Sequence, residues 1–122
     1  MKKTGTSFFL AAVFMTACVF SPFRVCADPP QDLTLSYDRQ AQKLTVTVKH
    51  PATFTNFHYI KQILIKRNNE PVENWDYTSQ PGKTSFTYTY KIGAAENDVL
   101  EVTATCNIQG KKSTVLTVGK SN

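Results

Sequence analysis

Two histidines and one cysteine are the residues of this chain best suited to unusual chemistry. His50 and His58 are the only histidines among its 122 residues. Cys106 lies far downstream, at the start of a Cys-Asn-Ile-Gln-Gly segment. One thiolate and two imidazoles form a donor set that suits iron, copper or zinc. The three residues therefore predict a metal site if the fold brings them together.

Each of the three residues also has a simpler structural interpretation. A lone cysteine at the end of an apolar stretch is commonly a small buried hydrophobic residue. His50 precedes Pro51, as many turn residues do, and His58 has the setting of a half-buried strand residue. A cysteine–histidine catalytic pair is disfavoured because no papain-like sequence surrounds Cys106. The choice between a metal site and three structural residues stays open at this point.

Alternation of apolar and polar residues predicts the strands that would position these side chains. The pattern is strict in three segments and weaker in three others. The strict segments are Leu44–Lys49, Thr84–Ile92 and Val99–Cys106, and the weaker ones are Leu33–Tyr37, Tyr59–Lys66 and Thr114–Val118. In Tyr59–Lys66 the alternation slips, which indicates a β-bulge or burial on both faces.

Turn-forming residues separate these segments, at 38–42, 68–71, 80–83 and 95–98. Strands that recur about every 10 to 15 residues predict an all-β sandwich of about seven strands. Trp75, the only tryptophan, is predicted to lie in its core. Both histidines and Cys106 fall at strand ends or in loops. Since the ends of different strands converge in a sandwich, one end of the domain is the predicted place of the site.

The N-terminal residues have the pattern of an export signal. Lys2 and Lys3 precede an apolar segment, Phe8–Phe20, and alanine follows valine and cysteine at position 27. That segment has 13 residues, too few for a bilayer-spanning helix, which needs about 20. We therefore predict a signal peptide over 1–27, one domain over 28–122, and export to a bacterial periplasm.

An alternative to this signal peptide is a lipid-bearing N-terminus at Cys18, because Met15–Cys18 loosely matches a lipobox. With cleavage after residue 27, Cys18 and Cys26 both leave and Cys106 remains, so a disulfide scaffold is excluded. An unpaired thiol in an oxidising compartment is a liability unless it is buried, paired between chains or bound to a metal.

Charge excludes one large class of partner. The formal net charge of +5 includes three basic residues of the predicted signal, Lys2, Lys3 and Arg24. The remaining domain is only weakly basic, which disfavours nucleic acid as a partner. After signal cleavage no membrane partner is expected either.

Three segments carry a resemblance to a known family. Residues 49–51 (Lys-His-Pro), 58–63 (His-Tyr-Ile-Lys-Gln-Ile) and 106–110 (Cys-Asn-Ile-Gln-Gly) resemble the iron domain of superoxide reductases, the desulfoferrodoxin and neelaredoxin family. The resemblance spans about residues 33 to 118. It implies an immunoglobulin-like sandwich of about seven antiparallel strands, non-haem iron as cofactor and one-electron reduction of superoxide. Superoxide or a small redox partner is the implied interaction partner.

The ligand set implied by the resemblance is incomplete. That family holds iron with four histidines and one axial cysteine, so Cys106 would be the axial ligand and His50 and His58 two of the four. Gln109 stands where the family has another histidine, and no histidine lies between residues 28 and 49. Gln109 would therefore be a weak fourth ligand.

Other functions remain open beside an iron-dependent one. Two histidines and a cysteine with a weak axial group are typical of copper electron-transfer sites, and three protein ligands also suit zinc. The runner-up from a different class is a metal-free, immunoglobulin-like module that binds a protein partner through its loops.

Overall fold

The computed structural model describes residues 29–119, which form seven antiparallel strands in two sheets. In chain order the strands are β1 (Asp32–Asp38), β2 (Lys43–Lys49), β3 (Ile60–Arg67), β4 (Glu70–Asp76), β5 (Ser85–Lys91), β6 (Val99–Cys106) and β7 (Lys111–Thr117). One sheet has the order β1-β2-β5 and the other β4-β3-β6-β7. The predicted all-β sandwich of seven antiparallel strands is confirmed.

Two of the sequence predictions concern residues outside the described range. These are the signal peptide over 1–27 and the alternative lipid attachment at Cys18. Within residues 29–119 no helix is long and apolar enough to cross a membrane.

The core lies between the two sheets and is formed by the inward-facing residues of the alternating strands. These side chains are fully or almost fully buried because each strand places every second residue on the core face. The completely buried ones are Leu44, Val46, Val48, Ile60, Ile63, Ile65, Leu100, Val102 and Ala104. The predicted slip in the third strand is confirmed, since the pairing of β3 with β6 shifts register between Ile60 and Gln62.

The structure corrects the sequence predictions around β4. The turn is confined to Asn68 and Asn69, both with positive φ (51° and 69°), and the strand begins at Glu70. The core position predicted for Trp75 is wrong, since this side chain is 45% exposed. β4 is an edge strand, so the Trp75 ring covers the margin of the sandwich, with its centroid 5.8 Å from that of Tyr90.

Tyrosines close the sandwich beside this edge strand. The rings of Tyr77 and Tyr88 stack with centroids 4.5 Å apart, and the hydroxyls of Tyr77 and Tyr90 lie 2.7 Å apart. The pKa of Tyr88 is raised to about 12, mainly because the phenol is buried and to a smaller extent because Tyr77 lies beside it. Burial, with the Tyr77 hydrogen bond, raises the pKa of Tyr90 further.

We expect the free energy of unfolding to fall as the pH rises above 10. In the unfolded chain these phenols ionise near pH 10, whereas folded Tyr88 stays neutral until about pH 12, so alkali favours the unfolded state. Urea unfolding followed by circular dichroism at pH 9 and pH 11 measures the effect. The Tyr88→Phe variant should lose less stability between these pH values than the parent; an equal loss would contradict the assignment to Tyr88.

Candidate metal centre

The topology brings the three chemistry-bearing residues to one end of the sandwich. His50 directly follows β2, and Cys106 is the last residue of β6. His58 lies two residues before β3, whose first residue, Ile60, pairs with Cys106. Because β2 and β6 end where β3 begins, all three side chains belong to the same loop cluster. The predicted convergence of strand ends is therefore confirmed.

The donor atoms of His50, His58 and Cys106 all lie within 4.8 Å of one another. The two imidazole rings meet edge to face, with centroids 4.4 Å apart and planes inclined by 73°. Metal bonds of about 2.0–2.3 Å at tetrahedral angles hold donor atoms roughly 3.3–3.8 Å apart. A bound ion would thus need to draw the widest pair together by only about 1 Å.

The group is shielded from solvent. His50 is fully buried, Cys106 is 3% exposed and His58 is half-buried. Burial of one imidazole and a thiol beside a half-buried second imidazole is costly unless hydrogen bonds or a metal ion satisfy their polar atoms. The surrounding contacts therefore show how each candidate ligand is held.

Cys106 receives a hydrogen bond at its sulfur. The backbone N–H of Ile108 donates to Sγ over 3.4 Å, and the backbone N–H of Cys106 donates to the Gly110 carbonyl over 2.9 Å. Gly110 adopts a φ of +83°, a left-handed conformation that favours glycine and lets the turn fold back. The sulfur also faces Asn107 Oδ1 over 3.9 Å as a donor, so Cys106 is held by one accepted and one donated hydrogen bond.

Asn107 fixes the backbone on both sides of His58. Its Oδ1 accepts from the Tyr59 N–H and its Nδ2 donates to the Phe57 carbonyl, each over 2.9 Å. The backbone N–H of Asn107 also donates to the Tyr59 carbonyl over 2.9 Å. The residue after Cys106 therefore clamps the segment that carries His58, and one side chain couples two candidate ligands.

Gln80 holds His50 in a similar way. It is only 3% exposed, and its Oε1 lies 2.8 Å from His50 Nδ1. The same oxygen accepts from the Ile60 N–H over 3.2 Å. Its Nε2 donates to the carbonyls of His50 and Gly82, each over 2.8 Å. Gln80 was not predicted from the sequence, because a glutamine in a loop carries no periodic or motif signal.

Comparison with known proteins finds similarity only at the level of solved structures. No family model and no curated protein matches the chain. Three similar structures are the superoxide reductase (neelaredoxin) of Ignicoccus hospitalis and two single-residue variants of it. The first variant is 15% identical with a TM-score of 0.48, covering 74% of this chain and 80% of the other. The unsubstituted enzyme is 14% identical with a TM-score of 0.47 over the same shares.

Gln109 is the fourth predicted ligand, and the structure places it on the surface. It is exposed in the turn between β6 and β7, three residues beyond Cys106. Its part as a weak ligand stays a prediction. The buried group itself consists of one thiol and two imidazoles, which matches the donor preferences of iron, copper and zinc. Its own geometry therefore supports a metal centre with three protein donors.

Proposed function

We propose that His50, His58 and Cys106 bind one redox-active metal ion, iron first among them, in a domain exported to the periplasm. The observation that carries the proposal is the mutual approach of the three donor atoms, all within 4.8 Å. Iron bound by a thiolate would supply one-electron reduction of superoxide. The chain's own part is to hold the ion with these three side chains, to stabilise the thiolate through the Ile108 N–H, and to orient the His50 imidazole through Gln80.

The charge at this end of the domain favours a small anionic substrate. Lys49, Lys61 and Lys83 are all exposed in or beside the loops that carry the histidines. Within residues 29–119 the one side-chain ion pair joins Arg39 to Glu96, at the opposite end of the sandwich. Exposed lysines raise the local concentration of an anion such as superoxide, although Asp32, the cross-strand partner of Lys49, offsets part of this charge.

Copper is the second candidate, because of the composition of the buried group. Two histidines and one cysteine are the set found in copper electron-transfer sites, whereas iron is usually bound by more nitrogen donors. With copper the domain would pass single electrons to a redox partner. Metal selectivity thus separates two functions that share the same three ligands.

Metal loading tests the proposal. The protein is exported from a bacterial host, its N-terminus is read by mass spectrometry, and its metal content is measured before and after anaerobic loading with Fe(II), Cu(I) or Zn(II). We expect Asp28 at the N-terminus, one ion per chain, and faster loss of superoxide with the iron-loaded form than with the metal-free form. If no ion binds stoichiometrically, the metal centre is wrong and the metal-free binding module takes its place.

A further inference from the structure

We infer that Gln80 is a positioning residue that fixes the tautomer of His50, so that this histidine presents Nε2 to the metal. The metal part of this inference rests on the proposed function. The tautomer itself is a property of the metal-free chain. It follows from the hydrogen bonds around one buried amide.

The orientation of the Gln80 amide is determined by its backbone partners. The carbonyls of His50 and Gly82 both lie 2.8 Å from Nε2, and they can only accept hydrogen bonds. The Ile60 N–H, 3.2 Å from Oε1, can only donate. Exchanging the amide oxygen and nitrogen would set two carbonyls against an oxygen and an N–H against an NH₂ group. Three unfavourable contacts at a buried position exclude that arrangement.

The tautomer of His50 follows from this orientation. The atom that faces His50 Nδ1 at 2.8 Å is the amide oxygen, which only accepts. Nδ1 must therefore carry the proton, and in the neutral imidazole Nε2 then carries the lone pair. A metal ion needs that lone pair, so Nε2 is the atom of His50 that enters the donor group.

Burial makes the choice of tautomer costly to reverse. His50 is fully buried and Gln80 is 3% exposed, so water does not replace a lost partner readily. In the opposite tautomer, the lone pair of Nδ1 would face the amide oxygen, and a buried hydrogen bond would become a repulsive contact. Because the acceptor is an uncharged amide, Gln80 orients the imidazole without adding negative charge beside the site.

Nitrogen-15 NMR of the metal-free protein tests the tautomer directly. Long-range ¹H–¹⁵N spectra at pH 8 distinguish an imidazole protonated at Nδ1 from one protonated at Nε2. We expect the Nδ1–H form for His50 in the parent. In Gln80→Met, which keeps the length but removes the amide, we expect a substantial population of the Nε2–H form. An Nε2–H tautomer in the parent would overturn the inference.

Two further variants separate positioning from general stability. Gln80→Glu keeps an oxygen that accepts from Nδ1–H, so it should retain the Nδ1–H tautomer despite losing both donated hydrogen bonds. Gln42→Met is the control, because the Gln42 side chain makes three hydrogen bonds, to Arg39 and Ala94, at the opposite end of the sandwich, where the Gln80 side chain makes four at the site. It should lower the melting temperature and leave the His50 tautomer unchanged. A Gln80→Met variant with the parent's tautomer would contradict the inference.

Metal titration gives the second measurement. Removal of the partner that orients a ligating histidine typically weakens metal binding about 10–100-fold. We expect that loss of zinc affinity in Gln80→Met and no loss in Gln42→Met. A parent with the Nδ1–H tautomer that binds no metal would refute the proposed function and leave the tautomer assignment standing. A parent that binds metal but has the Nε2–H tautomer would refute the tautomer assignment and leave the proposed function standing.

Discussion

Replacement of Cys106 by serine is expected to abolish the thiolate-to-metal charge-transfer absorption and to weaken metal binding at least about 100-fold. The sulfur is the only soft donor in the buried group, and its loss leaves two imidazoles. A serine hydroxyl is a poor ligand at neutral pH, since metals bind the deprotonated form of such groups. Loss of a direct ligand should exceed the roughly 10–100-fold effect of losing a residue that only orients one.

Anaerobic titration with Co(II) or Fe(II), followed by absorption spectroscopy, measures this effect. Cys106→Ala is the companion variant, because a small apolar residue suits a position that is 3% exposed and keeps the fold more readily than a buried hydroxyl does. Both variants should lack the absorption while retaining the strand content of the parent. A charge-transfer band that persists in either folded variant would show that Cys106 is not a ligand.

The strands that sequence analysis predicted well are those with one face on the core. Apolar and polar residues alternate in Leu44–Lys49 and Val99–Cys106 because every second side chain packs between the sheets. Burial of one face is therefore the cause of the sequence pattern. β4 has no such pattern, since most of its residues are exposed at the sheet edge. Its second residue, Pro71, is also of a type that is common in turns. Trp75 was misplaced for the same reason, because composition does not show which strand lies at an edge.

Some residues of the site could be predicted from the sequence and others could not, for a similar reason. His50, His58 and Cys106 were predictable because they are rare residue types at strand ends. The pairing of β3 with β6 and the packing of the two sheets bring these ends together. Gln80 and Asn107 were not predicted to support the ligands, because their roles depend on hydrogen bonds between loops distant in sequence. Such contacts follow from the exact course of the loops, which apolar periodicity does not determine.

Asn107 offers the sharpest test of that loop-to-loop support. Asn107→Ala should lower the free energy of unfolding by about 1–3 kcal/mol, since it removes two hydrogen bonds from this side chain to the backbone, worth about 0.5–1.5 kcal/mol each. It should also weaken metal binding about 10–100-fold, because the backbone on both sides of His58 loses its anchor. Urea unfolding and zinc titration measure the two effects separately.

The matched control is Asn68→Ala, at the opposite end of the sandwich. The Asn68 side chain also makes two hydrogen bonds, donating to Asp98 and accepting from the Val99 N–H. Its φ of 51° adds a cost of roughly 1 kcal/mol for alanine, so this variant should be destabilised at least as much as Asn107→Ala. It should nevertheless bind zinc with the affinity of the parent. Equal losses of zinc affinity in the two variants would mean that metal binding follows global stability. A loss confined to Asn107→Ala would show that the Asn107 side chain places His58 beside Cys106.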